Sequence, residues 1–173
     1  MTTERFNVEG LRVVILGGAG GIGSALALGF RRSGAHVIVV GRDAGKLAQA
    51  QRLLTEGPGP AGRTLQADLG RPAGIEAARA ATEEAIGPAD CLICCQGVTT
   101  IKPAFELSEE EYDAIFEANA KSVFFSCISF ARGMTARESG SIITVTSLSA
   151  HSGWARAAAY GASKWAVAGM TQS

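Results

Sequence analysis

A tyrosine, a lysine and a serine near the end of the sequence have the residue types and the spacing needed for proton transfer. Tyr160 and Lys164 are four residues apart, so a helix would present the phenol and the ammonium on one face. Ser147 precedes Tyr160 by thirteen residues. A phenol beside a cation can serve as acid or base, and a serine hydroxyl can hydrogen-bond an oxygen that gains negative charge. Tyrosine and lysine at this spacing also occur on many helix surfaces, so this chemistry needs support from the rest of the chain.

A cluster of glycines follows the first predicted strand, Leu11–Leu16. Residues without a Cβ let the backbone approach a phosphate, and the start of the next helix adds free N–H groups and a positive dipole end. The cluster therefore predicts a dinucleotide site, with close packing of helix on strand as the alternative role. Three spacings fit the cluster: Gly17-x-x-x-Gly21-x-Gly23, Gly17-x-x-Gly20-x-x-Gly23 and Gly18-x-Gly20-x-x-Gly23.

The end of the second predicted strand bears on which dinucleotide binds. An acidic residue there would hydrogen-bond a ribose 2′-hydroxyl, whereas an arginine nearby would accommodate a 2′-phosphate. The strand runs into Val40-Gly41-Arg42-Asp43, with glycine where the acid is expected. We therefore expect NADP(H) to be favoured over NAD(H), with Arg42 near the phosphate. Asp43 is the residue that argues against this preference.

Strands and helices alternate along the chain, which predicts an α/β fold, a doubly wound parallel sheet of the Rossmann type. Each strand is an apolar run, as expected when helices cover both faces of a parallel sheet. The predicted strands are Leu11–Leu16, His36–Val40, Thr64–Ala67, Cys91–Cys95 and Ser141–Val145. The predicted helices are Ile22–Arg32, Lys46–Leu54, Gly74–Ile86, a long helix that a capping box of Ser108 and Glu111 opens, and a last helix from near Tyr160. Ser147 then follows the fifth strand, at the edge where open α/β sheets bind ligands.

We expect residues 1–173 to form a single dinucleotide-binding and catalytic domain. The last residues, Thr171-Gln172-Ser173, fall inside a predicted helix. A sheet that stops at its fifth strand keeps one edge unpaired, which native proteins usually avoid. We therefore expect the C-terminal part of the fold to be missing from this sequence.

The composition bears on partners and location. Sixteen basic residues balance sixteen acidic ones, so the concentrated positive charge that nucleic acids or anionic membranes require is absent. No apolar run reaches eighteen residues, and Met1–Arg5 does not resemble a secretory signal. We expect a cytoplasmic protein with no nucleic-acid partner, no membrane partner and no metal site.

Four cysteines, Cys91, Cys94, Cys95 and Cys127, form a poor framework for disulfides because two of them are adjacent in an apolar run. We expect small buried thiols in a reducing compartment. The spacing Cys91-x-x-Cys94 also fits a redox pair, although it falls inside a strand rather than at a helix start.

These features together resemble the short-chain dehydrogenase/reductase family, of the single-domain type, from about Leu11 to the end of the chain. The glycine motif of the family matches Gly17-x-x-x-Gly21-Ile22-Gly23, and its adenine-binding pair matches Asp68-Leu69. The remaining matches are Asn119 within a helix, Ser147, Tyr160 and Lys164. The usual Asn-Asn-Ala-Gly after the fourth strand reads Cys94-Cys95-Gln96-Gly97 here, a departure that keeps the glycine.

The resemblance implies an NAD(P)-dependent oxidoreductase that interconverts a secondary alcohol and a ketone by hydride transfer. In that reaction Tyr160 is the acid or base, Lys164 favours phenolate and holds the nicotinamide ribose, Ser147 bonds the substrate oxygen, and Asn119 holds a water linked to Lys164. The implied cofactor-binding residues are Gly17, Ala19, Gly20, Gly21, Ile22, Gly23, Arg42, Asp68, Leu69, Cys95, Gly97, Tyr160 and Lys164. The resemblance also implies a homodimer or homotetramer.

Several alternatives stay open at this point. The stretch Val98–Phe105 resembles the equivalent loop of sugar-acid members such as gluconate 5-dehydrogenases. Lys102 could attract a substrate carboxylate there, although a solvated lysine is the ordinary role. The 3-oxoacyl-carrier-protein reductases are an alternative within the family, and a dinucleotide-binding sensor without catalysis is an alternative outside it. A serine hydrolase that uses Ser147 or Ser149 with His151 is disfavoured because no Gly-x-Ser-x-Gly motif occurs.

The four residues assigned to catalysis also have ordinary structural roles to set beside the chemical ones. Asn119 could be a surface residue of a long helix, and Ser147 could cap the end of a strand. Tyr160 and Lys164 could form an exposed pair.

Overall fold

A computed structural model describes residues 7–173 of the chain. The strands are β1 (Arg12–Leu16), β2 (His36–Gly41), β3 (Arg63–Gln66), β4 (Cys91–Cys94) and β5 (Ser141–Thr144), and all of their pairings are parallel. Their order in the sheet is β3-β2-β1-β4-β5. The direction of winding therefore reverses between β1 and β4, and the carboxyl ends of these two strands flank the crevice where open α/β sheets bind ligands.

The helices are α1 (Gly21–Arg32), α2 (Ala44–Thr55), α3 (Pro72–Ile86), α4 (Glu109–Phe116), α5 (Ser122–Ala136) and α6 (Ala158–Gln172). A π-helical segment, Glu117–Lys121, joins α4 to α5, and short 3₁₀ turns lie at Ala104–Glu106 and Leu148–Ala150. Within residues 7–173, none of the helices combines the length and the apolar character that crossing a bilayer requires.

Both faces of the central strands are buried, which confirms the doubly wound arrangement. Successive residues of β1 point to opposite faces. Val14 and Leu16 pack in one apolar cluster with residues of α3, α5 and α6, whereas Val13 and Ile15 pack in a second with residues of α1 and α2. Each of these fully buried side chains contributes roughly 1.5–3 kcal/mol of transfer free energy. The two clusters hold the loops at the ends of the strands in fixed positions.

The predicted strands and helices are present, and most of their ends shift by only one or two residues. The start of α2 shifts because the Asp43 side chain caps it: Oδ1 accepts a hydrogen bond of 2.8 Å from the backbone N–H of Lys46. The capping box predicted at Ser108 is confirmed, with both of its reciprocal hydrogen bonds to Glu111.

The prediction that every strand is apolar and covered along its whole length is wrong for β3 and β5. These are the edge strands of the described sheet, so helices and neighbours cover them incompletely. Ile143 of β5, for example, is 46% exposed.

Charged groups at the amino ends of the strands are paired within the fold. The guanidinium of Arg12 donates to both carboxylate oxygens of Asp90, at 2.8 Å from Nε and 2.6 Å from Nη2. The buried guanidinium of Arg31 donates to the backbone carbonyls of Glu56, Gly57 and Pro60 at 2.5, 2.8 and 2.8 Å. These contacts fix the loop between α2 and β3.

Candidate functional site

A cleft of about 660 Å³ opens at the carboxyl ends of the strands. Its walls come from the loops that follow β1, β2, β3 and β4, and from the region where α4 passes into α5. Eight of the predicted cofactor residues line it, namely Gly17, Ala19, Gly20, Arg42, Asp68, Leu69, Cys95 and Gly97. The topology thus brings together residues that are up to 80 positions apart in the chain.

The glycine loop forms the centre of this cleft. Gly17 has a positive φ of +71°, and a Cβ on it would lie 2.5 Å from the backbone nitrogen of Gln96, so only glycine fits there. Helix α1 starts at Gly21 without a side-chain cap and without an acidic residue in its first turn. Its first N–H groups are therefore free to bind an anion.

Gly23 lies outside the residues that line the cleft. A Cβ on Gly23 would overlap the backbone of Gly18, so its contribution is the close packing of α1 on the loop. Ile22, also in the first turn of α1, exposes 64% of its surface.

Three cations stand at the end of the cleft formed by the loops after β2 and β3. They are Arg42, Lys46 and Arg71. Among residues 7–173 none of the three has a salt-bridge partner, and the carboxylate of Asp43 is engaged in capping α2. This end of the cleft therefore suits a phosphate.

Lys46 and Arg71 did not follow from the sequence motifs. Each stands within a few residues of a predicted strand end on the same edge as Arg42. A search for cations near each strand end would have found both.

The turn after β3 presents the predicted adenine pair. Asp68 Oδ1 accepts a hydrogen bond of 3.0 Å from the backbone N–H of Gly70, and Leu69 is buried. The turn is thus fixed with the Asp68 carboxylate at the cleft.

Asn119 is fully buried, so an exposed helix position is excluded for it. Its Oδ1 accepts from the Val98 N–H at 2.7 Å, and its Nδ2 donates to the Val98 carbonyl and to Ser163 Oγ, both at 2.9 Å. Ser163 in turn donates to the backbone carbonyl of Tyr160 at 2.7 Å. Asn119 therefore connects the loop after β4 to the helix that carries Tyr160 and Lys164.

The backbone around Asn119 is π-helical, a conformation that is rare and often found at functional sites. The sequence analysis predicted one continuous helix here. Helical periodicity alone gives no signal for the extra residue of a π-helical turn.

Lys164 is buried, with 5% of its surface exposed, and its Nζ donates to the backbone carbonyl of Val145 at 2.9 Å. A Cβ on Gly97 would lie 3.6 Å from this nitrogen, so the ammonium is next to the cleft. Burial lowers the pKa of Lys164, and the nearby Cys95 thiol opposes that shift. The hydrogen bond to Val145 leaves two ammonium protons available.

Ser147 and the start of α6 lie on adjoining segments. Ser147 Oγ accepts from the Ser149 N–H at 3.1 Å and caps the turn Leu148–Ala150, so a capping role is present. Because Oγ is the acceptor in this bond, its own proton remains free to donate. A Cβ on Gly161 would lie 3.6 Å from the Ser149 carbonyl, which shows that the residue after Tyr160 packs against this turn.

The two alternative chemistries of the sequence analysis lack the necessary contacts. Cys91 and Cys94 pack in clusters on opposite faces of the sheet, so they cannot form a redox pair. All four cysteines are free, and Cys91 and Cys94 are buried. The His151 ring lies near the Trp165 ring, with 6.4 Å between centroids, and makes no hydrogen bond to Ser147 or Ser149 in the part of the chain described.

Lys102 is ion-paired, with 27% of its side chain exposed. Its Nζ lies 2.5 Å from Glu111 Oε2, and its backbone N–H donates to the Arg156 carbonyl at 2.8 Å. The sequence did not predict this ion pair, which forms because the capping box at the start of α4 brings Glu111 to this loop. Binding of a substrate carboxylate by Lys102 would require this ion pair to break.

Comparison with known proteins adds to this geometry. The family model of short chain dehydrogenase matches residues 12–173. The chain is 33% identical over 169 residues to gluconate 5-dehydrogenase of Gluconobacter oxydans (strain 621H), covering 98% of this chain and 66% of that protein. It is 34% identical over 165 residues to 2,3-dihydro-2,3-dihydroxybenzoate dehydrogenase of Bacillus subtilis (strain 168), covering 95% and 63%. The chain thus spans just under two thirds of the length of these two relatives.

The fold is also similar to solved structures. A metagenomic short-chain oxidoreductase in complex with NADP superposes with a TM-score of 0.88 at 30% identity, over 96% of this chain and 76% of that one. The similarity therefore extends over nearly all of the chain.

Proposed function

This chain belongs to the short chain dehydrogenase family, and we propose that it binds NADP(H) in preference to NAD(H) and interconverts a secondary alcohol and a ketone by hydride transfer. The observation that carries the proposal is the position of Lys164. Its buried ammonium lies one helical turn from Tyr160, hydrogen-bonds the end of the fifth strand and borders the cleft at Gly97. A buried cation in such a place is expected to serve a bound ligand or a reaction.

The residues of the cleft fit a nicotinamide dinucleotide. Gly17 and the uncapped start of α1 would hold the pyrophosphate. Asp68 and Leu69 would hold the adenine, and Arg42 the 2′-phosphate. When bound, the dinucleotide supplies or accepts the hydride.

The chain's own residues would handle the proton. The Tyr160 hydroxyl would protonate the substrate oxygen in the reducing direction and take that proton back in the other. The burial of Lys164 limits the screening of its charge by water, so its ammonium would attract the negative charge that develops on the reacting oxygens. Ser147, whose oxygen already accepts from Ser149, would direct its proton to the substrate oxygen.

Asn119 would act as a positioning residue. The three hydrogen bonds of its side chain occupy both amide protons and one acceptor position, and they link the wall of the cleft to α6. Asn119 is also predicted to hold a water near Lys164. The second lone pair of Oδ1, or the backbone of Asn119, would bind that water.

Replacement of Tyr160 by Phe tests the reaction. We expect the turnover number at saturating NADPH, measured over a panel of ketones, to fall roughly 10²–10⁴-fold because the acid is lost. The dissociation constant for NADPH should rise by a much smaller factor, because Lys164 and the residues of the glycine loop remain. Near-normal turnover would contradict the mechanism, and NADPH binding without turnover of any ketone by the unaltered protein would favour the sensor alternative.

For the substrate we propose a small polar carbonyl compound, with a sugar acid as the first candidate. The support is the similarity to two proteins whose names specify hydroxylated carboxylates, gluconate and dihydroxybenzoate. A 3-oxoacyl thioester is the alternative. Steady-state kinetics with 5-ketogluconate and with an acetoacetyl thioester would separate the two, since the higher kcat/KM identifies the preferred class.

We also propose that the protein forms a homodimer or homotetramer. Phe124 and Ile128 of α5 and Trp165 of α6 are exposed apolar side chains, which support an interface on these helices. Sedimentation velocity would measure the assembly, and a monomer at micromolar concentration would contradict it.

A further inference from the structure

Gln96 has a polar atom that the fold leaves without a partner. Among residues 7–173, Oε1 of Gln96 is the only buried side-chain oxygen or nitrogen that makes no hydrogen bond. The amide is held by a single bond of 3.3 Å, in which Nε2 donates to Ser126 Oγ. That distance is longer than the usual range for an N–H donor. An exchange of the amide N and O would satisfy the oxygen and leave the N–H unpaired, so either orientation leaves one atom free.

The position of Gln96 relates this free atom to the cleft. Gln96 lines the cleft, and its backbone is in contact with Gly17 of the glycine loop. In the proposed binding mode the adenine would lie at Asp68 and Leu69 and the pyrophosphate at the glycine loop. The adenosine ribose that joins them would then lie beside the residues that contact this loop, and Gln96 is one of these.

The energetics favour movement of this side chain on binding. A buried polar atom without a partner is unfavourable, and the one long bond to Ser126 is easily exchanged for another. The end of a glutamine side chain rotates over a broad range at little cost. Oε1 itself is covered in this structure, so the amide reaches a ligand only by turning away from Ser126.

Resting on the proposed binding of a dinucleotide, we infer that Gln96 turns into the cleft when the cofactor binds and hydrogen-bonds a hydroxyl of the adenosine ribose. The 3′-hydroxyl is common to NAD(H) and NADP(H). Gln96 therefore raises the affinity for both dinucleotides equally, in contrast to Arg42, which acts on the 2′-phosphate alone.

The experiment measures binding rather than turnover. NADPH and NADH are titrated into the unaltered protein and into Gln96→Met, with binding followed by the cofactor's fluorescence. We expect both dissociation constants to rise by the same factor, roughly five- to tenfold, because one neutral hydrogen bond is lost. The melting temperature of the free variant should change little, because the unpaired Oε1 is removed but the buried Ser126 Oγ loses its amide partner.

Ser126→Ala provides the matched control. Ser126 is buried and does not line the cleft, so this change removes the partner of the amide without removing a cofactor contact. We expect a lower melting temperature and unchanged or smaller dissociation constants. Gln96→Ala serves as a second variant in case methionine disturbs folding, with the same expected rise in both dissociation constants.

Three results would overturn the inference. Unchanged dissociation constants in the Gln96 variants would mean that the free atom serves only the fold, for example through a buried water, and would leave the proposed function intact. Weaker binding of NADPH alone would reject the shared hydroxyl as the partner. Failure of the unaltered protein to bind either dinucleotide would overturn the proposed function, and this inference with it.

Discussion

The two ends of the sheet use the same kinds of side chain in opposite ways. At the amino ends, Arg12 is paired with Asp90 and Arg31 with three backbone carbonyls. At the carboxyl ends, Arg42 and Arg71 have no salt bridge within the described residues. These two arginines at the amino ends are engaged within the fold, whereas the two at the carboxyl ends are available to a ligand.

The two buried cations, Arg31 and Lys164, also differ in how far the fold pairs them. Arg31 and Lys164 are both almost inaccessible. The guanidinium of Arg31 meets three acceptors, but the ammonium of Lys164 meets the Val145 carbonyl alone. A buried charge with only one acceptor is unfavourable for the fold by itself. The comparison teaches that the number of acceptors which the fold supplies to a buried cation, rather than burial, distinguishes a group that serves the reaction from one that serves stability.

The largest effect is expected from Lys164→Met. We expect turnover with NADPH and a ketone to fall roughly 10²–10⁴-fold, about 3–5 kcal/mol in activation free energy. The melting temperature should change little, because methionine fills a similar volume and no buried charge remains to be desolvated. Steady-state kinetics and thermal unfolding measure the two quantities. A fall in melting temperature as large as the one expected for Arg31→Met would contradict the conclusion that Lys164 serves the reaction rather than stability.

Arg31→Met should show the reverse pattern. Three carbonyls lose their donor, and since water can reach part of this loop we expect the free energy of unfolding to fall by about 2–4 kcal/mol. That corresponds to roughly 4–16 °C in melting temperature. Binding of NADPH should be unaffected, since Arg31 does not line the cleft. Weaker binding at a temperature where the variant is fully folded would contradict the separation of the two ends.

Much of this contrast could be predicted from the sequence, but not all of it. The alternation of strands and helices placed Gly17, Arg42, Asp68 and Gly97 at one edge because parallel strands end together, and the structure confirms that they line one cleft. The clamp around Arg31 could not be predicted, since its acceptors are backbone carbonyls of a loop some 25 residues away. Backbone acceptors have no residue type and so give no signal in a sequence.

Two other features depended on contacts between distant elements. The ion pair of Lys102 joins a loop to the first turn of α4, which local patterns do not specify. The burial of Asn119 depends on Val98 and Ser163. Its residue type matched the family, but its side-chain contacts followed only from the packing of α6.

Arg42→Ala tests whether the unpaired arginine at the carboxyl ends binds the 2′-phosphate. We expect the dissociation constant for NADPH to rise roughly tenfold, about 1.4 kcal/mol, with that for NADH unchanged. Arg52→Ala is the matched control, because Arg52 is an exposed arginine of α2 outside the cleft.

Addition of Gly41→Asp to Arg42→Ala should shift the cofactor preference towards NADH. A Cβ there would lie 3.5 Å from the nearest Leu47 carbon, an ordinary contact. An unchanged preference would remove the argument based on Arg42.

The smallest effect is expected from Asp90→Asn at the amino ends. The Arg12 side chain, through its hydrogen bonds, lowers the pKa of the Asp90 carboxyl below its ordinary value of 3.8. As the pH falls, the unfolded chain therefore binds the proton before the folded one does, and the stabilisation by the charged pair is present above pH 3.8 and is lost as the pH falls through the folded pKa. Since both side chains are partly exposed, we expect the variant to lose about 1 kcal/mol at pH 7.

Urea unfolding of Asp90→Asn and of the unaltered protein at pH 7, 5 and 3 measures this contribution. The difference in free energy of unfolding should be constant between pH 7 and 5 and should begin to close at pH 3. Glu117→Gln removes an exposed carboxylate paired with Lys121 and should change stability by less than about 0.5 kcal/mol at pH 7. If the difference in free energy of unfolding between Asp90→Asn and the unaltered protein stayed the same down to pH 3, the pair would act through neutral hydrogen bonds. Its charge would then not contribute to the stability of the fold.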